Sequence, residues 1–291
     1  MSITKYKTLF IGIAIAMVVA SLLAINYFGI KKGIDFTGGT VVEISYASSS
    51  VPTIDVAAFH EKGVKVFTTS PLSFKFISQM SYDETKAAMV ALLNPTSRPY
   101  TETQVNTVGP SMGAEMTKKA MIAIVIVAIA ILSFIAFAFR EVSVPVASWK
   151  YGVVAMVTII HDIIVPAGVY AFMSAKYGAE IDTLFVVALL TVMAVTISDK
   201  IVVFDRIREN LKNFGTKRPF ETVVDESLIQ TFTRSINTSM TTVLSLAALY
   251  FYGPESTKFF SLTLMVGIIV GTYSSIFVAS PILTYLVKKN K

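Results

Sequence analysis

Five ionisable side chains lie inside long apolar runs, where a charge is costly unless it is paired or hydrated. His161 and Asp162 are neighbours in one run, Asp199 and Lys200 in the next. Arg234 opens a third, which continues through Asn237, Thr238, Ser239, Thr241 and Thr242. A carboxylate and a guanidinium inside a membrane either hold helices together as a static salt bridge or act as a switch. In the second case, protonation of the acid cancels their attraction. Asp199 and Arg234 admit both readings. His161 titrates near neutrality when unperturbed, which suits proton transfer. Neighbours on a helix point to different faces, however, so His161 and Asp162 do not read as a catalytic dyad. With no cysteine in the chain and no second histidine at ligand spacing, no metal site is expected. No cofactor is expected, and the lack of a nucleophile–base set argues against an enzyme.

The elements that carry these residues follow from composition. Of 291 residues, 54% are apolar and 15% charged, far short of the quarter typical of soluble domains. The apolar residues gather into six runs of membrane-spanning length, at about 9–28, 120–139, 146–173, 182–204, 232–252 and 259–287. Lys5 and Lys7 precede the first run. Its length and the five later runs favour a span over a cleaved leader. The net charge of +6 comes largely from residues flanking these runs, a pattern of membrane orientation rather than nucleic-acid binding. Arg140 and Lys150 flank the second connection. Arg206, Arg208, Lys212, Lys217 and Arg218 crowd the fourth, and Lys288, Lys289 and Lys291 close the chain. The third and fifth connections carry only Lys176 and Lys258. The positive-inside rule therefore puts both termini in the cytoplasm and the segment 29–117 outside. On that topology Asp199 and Arg234 lie at similar depths on consecutive helices.

The fold class expected is an α-helical polytopic membrane protein. It has a first span at 1–28, a small α+β domain at 29–117 and five further spans over 118–291. Residues 40–46 alternate, with Val42, Ile44 and Tyr46 on one face. A helix is expected at 53–62, strands at 64–68, 73–78 and 105–108, and a helix to about Leu93. Ser81 and Glu84 form a capping box at the start of that second helix. The order strand–helix–strand–strand–helix–strand is that of a ferredoxin-like split βαβ unit. Near 206–231, Ile207, Leu211 and Phe214, then Phe220, Val223, Val224 and Leu228, predict two amphipathic helices at the membrane surface, read as covering the cytoplasmic end of the bundle rather than as a dedicated partner site.

Gly33-Ile34-Asp35-Phe36-Thr37-Gly38-Gly39-Thr40 resembles the GxDFTGGT motif of the SecF family. Val108-Gly109-Pro110, with Gly113 and Glu115, is similar to its VGP segment, and His161-Asp162 to its HD pair. Asp199 and the run from Ile201 through Asp205, Arg206 and Glu209 to Asn210 resemble its D-x-IVVFDRxREN signature. Arg234 with Thr238, Ser239, Thr241 and Thr242 resembles its fifth-helix segment. The resemblance implies a protein-export subunit of the resistance-nodulation-division superfamily. It would pair with SecD, associate with SecYEG and YajC, and use the proton gradient to assist preprotein translocation. It also implies Asp199 and Arg234, with Asp162, as the ion path. Lys200 departs from the family, which has a small polar residue there. On the residues alone, Lys200 either snorkels to the interface or meets a carboxylate of a partner subunit. Gly38 and Gly39 are expected to form a turn into the strand at Thr40. Two other functions fit six spans: a structural translocase subunit that carries no ions, and half of a small-molecule exporter.

Overall fold

The computed structural model describes residues 3–47, 53–93, 99–138, 147–214 and 218–286. Arg140, Lys217, Lys288, Lys289 and Lys291, Gly215, and the expected span ends at 139, 146 and 287 lie outside these residues. The chain divides into two units. One is Met1–Ile30, Ala123–Ala179 and Leu184–Lys291; the other is Lys31–Ile122 with Glu180–Thr183.

In the smaller unit, one helical turn, α2 (Ile34–Thr37), leads into β1 (Gly39–Tyr46). There follow α3 (Val56–Glu61), β2 (Val64–Ser70), β3 (Ser73–Ser78), α4 (Tyr82–Leu93) and β4 (Tyr100–Val108). The strands form one sheet in the order β2-β3-β1-β4, with every neighbouring pair antiparallel. The alternation of β1 has its expected consequence. Val42 and Ile44, both fully buried, face Phe76 and Phe74 across the ladder and pack with Phe59 of α3 and Met89 of α4. β4 begins five residues earlier than its apolar pattern suggests, because residues 100–104 continue the backbone ladder with β1, helped by the Thr103 hydroxyl on the Glu43 carbonyl and the Tyr100 ring beside Tyr46.

The capping box forms. The backbone N–H and hydroxyl of Ser81 donate to Glu84 Oε2 at 3.0 and 2.9 Å, and the Glu84 N–H returns to Ser81 Oγ at 3.4 Å. These bonds, the hydroxyl's first, hold the Glu84 carboxyl below its usual range. A carboxyl depressed in the folded state contributes stability above its unfolded pKa and loses it as pH falls through the folded value. Ser81→Ala is therefore expected to lower stability near neutrality and to lower it distinctly less at pH 3, as read from melting curves at the two pH values.

The larger unit is a helical bundle: α1 (Lys7–Phe28), the later part of α5 (Pro110–Ala138), α6 (Ser148–Tyr177), α7 (Thr183–Phe214) beyond its first residue, α8 (Phe220–Tyr252), α9 (Lys258–Ser274) and α10 (Ser280–Tyr285). A wide π turn, Ser275–Ala279, links the last two. α1 packs on α6, and α9 packs on both α6 and α8. Among the described residues, five helices are long and apolar enough to cross a membrane: Thr4–Phe28, Pro110–Ala138, Trp149–Tyr177, Thr183–Asn213 and Lys258–Tyr285. α8 has 33 residues, about 50 Å of helix, but the hydroxyl-rich run after Arg234 lowers its mean hydropathy.

The amphipathic segments near 206–231 are not separate surface helices. They are the continuing ends of α7 and α8. Ile207, Val223, Val224 and Leu228 are fully buried in the main core. A helical stripe facing its own hairpin partner has the same period as one facing lipid, which is why the pattern reads either way.

Candidate functional site

Asp162 on α6 and Lys200 on α7 form a salt bridge of 2.5 Å with both side chains fully buried. This differs from both expectations for Lys200, and helix geometry gives the reason. Successive residues lie about 100° apart around a helix, so Asp199 and Lys200 face different neighbours. Lys200 faces α6, while Asp199 faces α8, where Ser235 Oγ donates to its Oδ1 at 2.5 Å. The second oxygen of Asp199 is buried without a hydrogen bond of ordinary length. The nearby Ser275 hydroxyl is committed to the Gly271 carbonyl at 2.7 Å.

His161 and Asp162 do meet, contrary to the expectation from facing alone: His161 Nδ1 lies 3.0 Å from Asp162 Oδ1. Side chains one residue apart splay by about 100°, yet both are long enough to close that angle. A carboxylate with Lys200 on its other oxygen accepts only, so the imidazole proton is assigned to Nδ1. Its Nε2 is buried and without a partner. Pro166, one turn on, lacks the N–H that a helix would aim at the Asp162 carbonyl.

Asp199 and Arg234 are brought to one level but not into contact. Ser235 is 1% exposed and bonds Asp199. Arg234, rotated from it by one residue, is exposed and makes no hydrogen bond or ion pair among the described residues. Ser235 is the site residue that sequence reading passed over; its one signal was its place beside Arg234. Thr196, one turn before Lys200, was passed over too. It is 2% exposed and its hydroxyl has no partner.

The remaining motif residues have structural settings. Arg206 bonds Gln230 Oε1 through Nε at 2.6 Å and Glu209 through Nη1 at 2.5 Å. Arg208 lies 4.0 Å from Asp205, itself exposed. Asn210 donates to Ser227 and Gln230 at 2.8 and 2.9 Å, tying α7 to α8. In the smaller unit, Asp35 Oδ2 accepts the N–H of Thr183 at 2.8 Å, a carboxylate capping the first residue of α7. Gly38 and Gly39 turn the chain into β1 with φ of +78° and +132°. A Cβ on Gly38 would lie 2.7 Å from the Pro110 Cα, and one on Gly39 would strike the Ser78 carbonyl oxygen. Gly113 approaches the same turn, where its Cβ would lie 3.0 Å from the Phe36 carbonyl carbon. The segments 33–40 and 108–115 therefore interlock backbone against backbone.

A bundle of apolar helices with a buried charge pair and a half-bonded carboxylate, plus a small antiparallel sheet, defines an integral membrane protein. The family model described as "Protein export membrane protein SecD/SecF, C-terminal" matches residues 88–289. That for the "SecD/SecF GG Motif" matches 28–49. The protein translocase subunit SecF of Thermobaculum terrenum is 38% identical, over 97% of this chain and 92% of that one. SecF of Anaerolinea thermophila is 35% identical over the same shares. The crystal structure of SecDF from Thermus thermophilus, a translocon-associated membrane protein, superposes with a TM-score of 0.82 at 29% identity. The match covers 98% of this chain and 38% of SecDF, so the chain spans well under half of that protein. The chain belongs to the SecF family.

Proposed function

We propose that the chain is an accessory subunit of the Sec protein translocase that works with SecD and spends the proton gradient on preprotein movement. Its place would be the cytoplasmic membrane, with six spans, α8 as the fifth, both termini cytoplasmic and 29–117 outside. The strand order supports reading that outer domain as a ferredoxin-like split βαβ unit. The match to 38% of SecDF supports SecD as the partner supplying the other half of a resistance-nodulation-division bundle. SecYEG, YajC and the moving preprotein would complete the assembly.

The observation that carries this reading is Asp199. It is the one carboxylate of the site with an oxygen left without a hydrogen bond, and Arg234 stands beside it on an exposed surface. A proton reaching Asp199 removes its pull on Arg234, and its loss restores that pull. The two states then bias how the helix pair meets a second subunit. One charge crossing 100 mV is worth about 2.3 kcal/mol, enough to bias such a step nearly fiftyfold. The test is preprotein translocation into vesicles with or without this subunit, its SecD partner present throughout. Stimulation by the subunit is expected with a proton gradient and is expected to vanish with an ionophore. Stimulation that survives the ionophore would overturn the reading.

A further inference from the structure

The Asp162 carboxylate has both oxygens occupied, Oδ2 by Lys200 Nζ at 2.5 Å and Oδ1 by His161 Nδ1 at 3.0 Å, with no exposure of the carboxylate or the lysine. Around it stand polar atoms with nothing to bond. Thr196 Oγ1 and His161 Nε2 are buried and unpartnered, on residues 2% and 6% exposed. Thr196 and Asp162 Oδ2 both approach Gly271: a Cβ there would strike the Thr196 methyl and lie 3.5 Å from Asp162 Oδ2, so the threonine and the carboxylate stand close together. A carboxylate oxygen and a hydroxyl are what a hard cation takes as ligands. Here the cation is already present, tethered to α7 as an ammonium.

We propose that Lys200 is the ion-specificity residue of this chain: its ammonium permanently fills the Asp162 carboxylate and shuts it against mobile sodium, leaving Asp199 as the exchangeable carboxylate. The inference rests on the reading of the chain as ion-coupled. It assigns that coupling to one carboxylate where two were available, and it gives Asp162 a fixed charge rather than a place on the path. Replacing Lys200 by a short hydroxyl residue removes the tethered cation, keeps the other ligands and vacates room for a free ion.

The test is the melting temperature of purified full-length protein at pH 8, titrated with sodium chloride against choline chloride. Lys200→Ser is expected to gain at least about 3 °C between 0 and 100 mM sodium. Wild type and the double variant Asp162→Asn/Lys200→Ser are expected to show no difference between the two salts. A folded Lys200→Ser that ignores sodium overturns the proposal, as does a wild type that responds equally. If Lys200→Ser does not survive extraction, Lys200→Gln takes its place. Survival of either variant only in sodium supports the proposal, and loss of both in sodium and choline alike overturns it. The titration reads binding rather than export, so failure of the ionophore experiment with an intact sodium response discards gradient coupling alone.

Discussion

Lys200→Met is expected to destabilise the bundle by about 3–5 kcal/mol, because the apolar side chain takes the ammonium's place and leaves the buried Asp162 carboxylate without its cation. Asp162→Leu should cost about as much for the mirror-image reason, leaving a buried ammonium. The pair is fully buried on both sides at 2.5 Å, so desolvation has already been spent and each partner depends on the other. Removing both charges is a different matter. Replacement of a buried ion pair by apolar groups of similar volume is often neutral or stabilising. The double variant Asp162→Leu/Lys200→Met should therefore recover most of the loss, with a coupling energy of several kcal/mol in the cycle. Denaturation of the purified variants in detergent measures all four corners. Additive single losses would show that Lys200 and Asp162 do not depend on each other.

The second large effect is expected at Gly39, where Ala should destabilise the smaller unit by at least about 3 kcal/mol. Two costs combine there. A φ of +132° is open to glycine almost alone. The added Cβ also meets backbone, the Ser78 carbonyl oxygen and the Gln79 Cα at 3.1 Å, and backbone does not swing aside as a flexible side chain does. Gly63 is the internal control. Its φ of +73° is also left-handed, but a Cβ there meets nothing within 4 Å, so Gly63→Ala should cost only about 1 kcal/mol. Limited proteolysis of the full chain compares them: Gly39→Ala should expose new cleavage within 31–122, while Gly63→Ala should digest like wild type. Equal digestion of the two variants would mean that the close approach of Gly39 to the Ser78 carbonyl is not what holds the turn.

Local chemistry was legible where partners are close in sequence. The alternation of Val42, Ile44 and Tyr46 and the reciprocal bonds of Ser81 and Glu84 each span a few residues, and pattern suffices for them. The turn at Gly38 and Gly39 was legible too. The bond between Lys200 and Asp162 spans 38 residues and depends on which way α7 is rotated. No period in the sequence fixes that rotation, because lipid and a neighbouring helix are both apolar surroundings. The same ambiguity made the ends of α7 and α8 read as surface helices. Ser235 carries no charge to mark it out beside Arg234, yet rotation by one residue puts its hydroxyl, not the guanidinium, against Asp199.

Export by membranes carrying Asp199→Asn, with and without a proton gradient, tests the central claim most directly. Subunit levels and co-purification of SecD must first match wild type. The account predicts that the gradient no longer stimulates export by the variant, while gradient-independent export continues. Full stimulation by the gradient in the Asp199→Asn membranes would contradict it and reduce Asp199 to a packing residue held by Ser235.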